Sequence, residues 1–119
     1  MKTKPNNALG QFEQLVITAI IALGDNAYGL AIQGKVTEFY RDKEVNLGSV
    51  YVTLERLEDK GFVASKFSKP IPERGGRARR LFRLLPAGQQ ALQESLSIQA
   101  RSQKSIAGFW RKLKWSPAK

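Results

Sequence analysis

Within LGSVYVTLERLEDKGFV, residues 47–63, the side chains of Ser49, Tyr51, Val52, Thr53 and Arg56 follow one another over about two turns of a candidate helix. They are short polar or slender groups followed by one long cation. Such a set suits hydrogen bonds and methyl contacts to base edges in a DNA groove, where bulkier groups would hold a helix away. A second concentration lies in KPIPERGGRARR, residues 69–80, with Lys69, Arg74, Arg77, Arg79 and Arg80 around Gly75 and Gly76. Cations at that density suit phosphates or a narrow minor groove, and the glycine pair lets the backbone approach a duplex closely. Lys66 and Arg83 flank the run.

The charge balance points the same way. Residues 1–59 hold 6 Lys/Arg against 8 Asp/Glu, and residues 60–119 hold 14 against 2, so a net of −2 is followed by a net of +12. A solubilising surface is the bland explanation. A basic half beside a nearly neutral one instead suggests a polyanion-binding face, with nucleic acid ahead of an anionic membrane surface.

Other chemistry is poorly served. There is no histidine and no cysteine among the 119 residues, which removes histidine general bases, thiolates, disulfides and the usual zinc sites. A reducing compartment, the cytoplasm, is the expected location. Gly24 to Gly29 has the glycine spacing of a phosphate loop, but Leu30-Ala31 stands where Lys-Ser/Thr is required. Glu55, Glu58 and Asp59 read as solvated helix charges. No enzyme, cofactor or metal is expected. The N-terminus lacks the apolar core of a secretory signal, and the apolar run at 15–23 is too short to span a bilayer, which takes ~20 residues.

Periodicity places these groups on a short series of helices and strands. Phe12, Leu15, Val16, Ala19, Ile20 and Leu23 predict a helix over 10–23, closed at Gly24. A second helix over 29–41 is expected to bury Ile32, Val36, Phe39 and Tyr40. The third is expected to be capped by Gly48 or Ser49 and to end before Gly61, burying Val50, Leu54 and Leu57 and turning Ser49, Val52, Thr53 and Arg56 outward, with Tyr51 on its flank. An ordinary surface helix with a polar back is the alternative. Residues 62–68 and 81–84 read as two strands joined by the long basic loop. Three helices and such a hairpin make a winged helix-turn-helix, mainly α with a small β-hairpin, over residues 1–85.

Pro86 then opens a long helix. Leu92, Leu96, Gln99, Gln103, Ile106, Trp110 and Leu113 alternate in steps of four and three, a heptad seam. Residues 86–119 therefore read as a dimerisation helix that packs on the first helix, with Phe12 contributing to the same homodimer interface.

These stretches resemble the PadR family of bacterial transcriptional regulators. The similarity runs from about Leu9 through the last helix. It is carried by Gly-Ser-Val-Tyr with Leu-Glu-Arg-Leu-Glu-Asp-Lys-Gly after it, by the Arg-Gly-Gly-Arg wing, and by Leu-x-Pro-x-Gly at residues 84–88. The resemblance implies a homodimeric winged-helix repressor, of the short branch without an added C-terminal domain. It implies Tyr51 and its neighbours on double-stranded DNA, residues 74–80 flanking it, and the last helix in the dimer. Two departures stand out. Leu85 replaces the threonine that usually caps the last helix, and Gln99 and Gln103 occupy the middle of the seam, where the family's drug-binding members place aromatic rings. An inducer is therefore not assigned.

The main alternative is a non-specific, nucleoid-type or RNA-binding protein, which would show no preferred duplex. A membrane-surface protein using RKLKW at 111–115, and a regulator whose long helix pairs with another protein, are further alternatives. No stable membrane association is expected.

Overall fold

The computed structural model describes residues 8–70, 75 and 78–113. Helix α1, Gln11–Leu23, begins where Glu13 turns back and its Oε1 accepts the Gly10 N–H at 3.0 Å. Gly10 has no side chain to return the bond, so the cap is one-sided. After a short 3-10 turn, Gly24–Asn26, helix α2 spans Gly29–Tyr40 and helix α3 Leu47–Asp59. Strands β1, Val63–Phe67, and β2, Arg80–Leu84, form an antiparallel hairpin in which Val63 faces Leu84 and Phe67 faces Arg80. Helix α4 runs over Pro86–Leu113.

The core is the meeting of one stripe from each element. Val16, Ile17 and Ile20 of α1, Ile32 and Val36 of α2, and Val50, Leu54 and Leu57 of α3 are buried, with Val63 and Phe82 from the hairpin and Ala91 and Leu92 from α4. Burial of a side chain of this kind contributes about 1.5–3 kcal/mol. Truncating one at the centre, as in Ile17→Ala, costs about 2–5 kcal/mol.

Local chemistry fixes the joints. Val45, buried between α2 and α3, donates its N–H to Thr37 Oγ1 at 3.1 Å, and its carbonyl accepts from Gln33 Nε2 at 2.7 Å. Two side chains of α2 thus satisfy the backbone that leads into α3 and set the angle between the helices. Arg41 takes a left-handed φ of 69° to close α2. At the other end of the domain, Leu85 N donates to Phe62 O at 2.9 Å, and Gly88 lies so close to that carbonyl and to Leu84 that no β-carbon would fit. Helix α4, without a side-chain cap from Leu85, is held at its start by this packing.

Two expectations about these elements are corrected. Asn46 caps α3, its Oδ1 accepting the Ser49 N–H at 3.1 Å, so Leu47 belongs to the helix, and Gly48 instead leaves room for the Asn46 side chain. Phe39 is 41% exposed. Tyr40, four residues beyond Val36, takes the position against the core and leaves Phe39 outside.

Candidate nucleic-acid interface

Helix α3 lies across α2 as the second helix of a helix-turn-helix, with Val50, Leu54 and Leu57 holding it down. On its open side stand Ser49, Tyr51, Val52 and Arg56, with Val52 59% exposed. Thr53 is not among them. At about 100° per residue it sits only about 60° from Val50, inside the width of a buried helix stripe, and it is 5% exposed. The exposed face of α3 is therefore narrower than the sequence suggests. Among the described residues no ion pair occupies Arg56, which leaves its fork of donors open.

Tyr51 is anchored rather than loose. Its phenol packs against Gly29, the first residue of α2, with no space for a β-carbon there. Gly29 therefore serves a close approach between the two helices. The other end of α3 is tied to α1, where Lys60 Nζ meets Glu13 Oε2 at 3.0 Å. Burial is the largest influence on the Glu13 carboxyl and pushes its pKa up. The Gly10 N–H, the Lys60 ammonium and the more distant Arg56 together outweigh it, so the carboxyl titrates below its ordinary value. Both ends of the helix are held by groups that spacing alone does not reveal.

The hairpin is the wing. Its second strand gains a further neighbour on its outer edge, where Phe82 N donates to Ala27 O at 2.8 Å and Tyr28 bridges to Leu81. The long loop is pinched at its base, where Ser68 N donates to Arg79 O at 2.7 Å and Ser68 Oγ accepts from Arg79 N at 3.0 Å. Arg79 turns its guanidinium over the Tyr28 ring, 4.0 Å from the centroid. A cation stacked in this way keeps its charge while its position is restricted. Lys66, Lys69 and Arg83 are exposed, as is Gly75, which has a positive φ of 70°. Arg74, Gly76 and Arg77 lie outside the described residues.

Arg80 departs from the sequence expectation. Its Nη2 pairs with Glu58 Oε1 at 2.6 Å and its Nε donates to Ser65 Oγ at 3.0 Å, so its donors are directed into the protein. Glu58 is correspondingly not a solvated helix charge. The residues between them number too many for any local periodicity to show the pair.

The long helix carries two kinds of surface. Gly88, Ala91, Leu92 and Ser95 are buried against the domain. Beyond them the seam is open. Leu96 is 49% exposed, Ile106 and Leu113 are also exposed, Gln99 and Gln103 face solvent, and Trp110 is half-buried beside Phe109 with ring centroids 5.1 Å apart. Phe12, at the start of α1, packs against the core and is half-buried. No helix among the described residues is long and apolar enough to cross a membrane.

Similar architectures recur among solved structures. A transcriptional regulator from Clostridium thermocellum, Cth-833, superposes with a TM-score of 0.66 at 19% identity, over 82% of this chain and 87% of that one. A PadR family transcription regulator from Clostridium difficile R20291 gives 0.62 at 23% identity, over 89% of this chain and 100% of that one. BpsR of Bordetella bronchiseptica, whose DNA binding is regulated by 6-hydroxynicotinic acid, gives 0.62 at 17% identity, over 89% and 71%. No curated protein matches the sequence. The profile of the transcriptional regulator PadR-like family matches residues 17–94. Because that match runs through the helices, the hairpin and the start of α4, and takes in more than half of the chain, the protein belongs to the PadR-like family of DNA-binding transcriptional regulators.

Proposed function

We propose that the protein is a homodimeric repressor that binds an inverted-repeat operator in the cytoplasm, on nucleoid DNA. The observation that carries this reading is the pairing of an open reading face with an open seam. Ser49, Tyr51, Val52 and Arg56 are exposed on a helix held at both ends, and Leu96, Ile106 and Leu113 are apolar and exposed along α4. Apolar groups spaced as heptads are satisfied by a second helix of the same kind. Two copies related by a two-fold axis would then present two α3 helices to two half-sites, about one helical turn or a multiple apart. Residues 1–85 supply the DNA-binding unit in this reading, and residues 86–119, which include α4, the dimerisation unit.

Arg79, Lys69 and the wing residues 74–77 would neutralise phosphates on either side, as the net charge of +12 over residues 60–119 favours. Repression follows from the PadR resemblance, and occlusion of a promoter by a bound dimer is its simplest physical form. Selection of duplexes from a random-sequence pool tests the proposal. One enriched inverted repeat, which silences a reporter when placed across its promoter, is the expected result. Retention of all duplexes alike would identify a non-specific binder instead.

A further inference from the structure

We infer that Arg80 is a positioning residue, clamped by Glu58 and Ser65 so that it sets how the wing leaves α3 and hence the register in which wing and helix meet DNA. The inference rests on the sequence-specific reading proposed above. Arg80 is the first residue of β2 and pairs with Phe67, the last of β1. The clamp therefore stands where the ladder ends and the loop to the wing arginines begins.

The network joins three elements. Arg80 Nη2 donates to Glu58 Oε1 at 2.6 Å, and Nε donates to Ser65 Oγ at 3.0 Å. Ser65 Oγ in turn donates to Glu58 Oε2 at 2.8 Å, closing the ring of contacts across α3, β1 and β2. Glu55 Oε1 stands 4.0 Å from Nη1, and the Phe82 ring lies beneath the guanidinium, 5.0 Å to its centroid. A guanidinium can direct donors at two partners in fixed, different directions, which a lysine ammonium on a flexible stem does not reproduce.

A two-stranded hairpin has little stability of its own. Its inner end is secured by buried Val63 and Phe82. Its outer end has the Arg80 clamp on one side and the stacking of Arg79 on Tyr28 on the other. Without Arg80, Glu55 and Glu58 would also remain as uncompensated carboxylates beside the approaching phosphates. The competing role, a direct phosphate contact, makes opposite demands. A phosphate ligand restrained by Glu58 would be released when that carboxylate is neutralised, and every duplex would then bind more tightly.

The test compares Arg80→Lys and Glu58→Gln with the unmodified full chain. Its probes are the strongest duplex that the unmodified protein selects from a random pool and a scrambled duplex of equal length and composition. Both variants are expected to lower the ratio of the two affinities by roughly tenfold, the scale of one charged hydrogen bond, with the salt slope on the scrambled duplex unchanged. An unaltered ratio in Arg80→Lys, or equal tightening on both duplexes in Glu58→Gln, would overturn the positioning role.

Hydrogen exchange without DNA supplies a second readout. Glu58→Gln is expected to speed exchange in residues 63–67 and 80–84 and to leave α1 as it was. Unchanged exchange in the hairpin, or faster exchange throughout α1, would also overturn it. If the unmodified protein enriches no duplex, it is the sequence-specific reading that fails, and the exchange comparison still decides the clamp.

Discussion

The phenol of Tyr51, on helix α3, occupies the space that a β-carbon on Gly29 would need. The start of α2 and the front of α3 are thus fitted to each other through one ring and one missing side chain. Gly29→Ala should lower stability by about 1–3 kcal/mol through overpacking. In a Tyr51→Ala background the same change should cost much less, because the ring it collides with is gone. Urea denaturation of the four proteins in this cycle checks the relationship, and equal losses in both backgrounds would contradict it.

Acid sensitivity should trace to Glu13. Its carboxyl titrates below the ordinary value in the folded protein, whereas in the unfolded chain it titrates at the ordinary carboxylate value. The folded state therefore binds the proton more weakly. Its contribution is complete above the unfolded pKa and is lost as pH falls through the folded one. Glu13→Gln should cost about 1.5–3 kcal/mol at neutral pH. It should also flatten the acid limb of a stability curve measured below pH 5. A limb of unchanged steepness would place the acid sensitivity elsewhere.

Much of this architecture is legible in local spacing, and the exceptions share a cause. The stripes Val16, Ala19, Ile20 and Val50, Leu54, Leu57 lie where their three- and four-residue steps put them. The hairpin and the entry of α4 at Pro86 also follow from turn residues and alternation. Thr53 differs because a residue at the margin of a stripe is buried or exposed according to what packs beside it. The pairs Glu13 with Lys60 and Glu58 with Arg80 leave no mark in local spacing because they are 47 and 22 residues apart. Spacing reports neighbours on one element, whereas these pairs depend on how elements pack. The same limit hid the fit of Tyr51 to Gly29 and the edge pairing of Tyr28 with Leu81.

The seam of α4 should control assembly and DNA binding together. Leu96 and Ile106 are exposed apolar groups on a helix whose first turns alone are buried in its own domain. Changing both to lysine should yield a folded monomer by light scattering at micromolar concentration, with far weaker binding to an inverted repeat. A monomer mass for the unmodified protein would contradict the dimer outright.

The two neighbouring arginines of the wing should behave differently. Arg79 stacks on Tyr28, whereas Arg80 is paired with Glu58. Arg79→Ala should weaken all duplexes to a similar degree and reduce the slope of log affinity against log salt by about one. Arg80→Lys should leave that slope alone. Fluorescence anisotropy titrations over a range of salt concentrations separate the two, and an identical response would remove the distinction.

If α3 reads sequence, its exposed side chains should decide which duplexes the protein selects. Duplexes selected from a random pool by the unmodified protein should be compared with those selected by a Val52→Ala, Arg56→Ala variant. Val52 suits a thymine methyl and Arg56 can pair with the edge of guanine. The variant should lose preference at specific positions of each half-site, by about 1–3 kcal/mol per lost contact, while its non-specific affinity persists. If it selects the same sequences with undiminished preference, α3 is scaffold and the reading surface lies elsewhere.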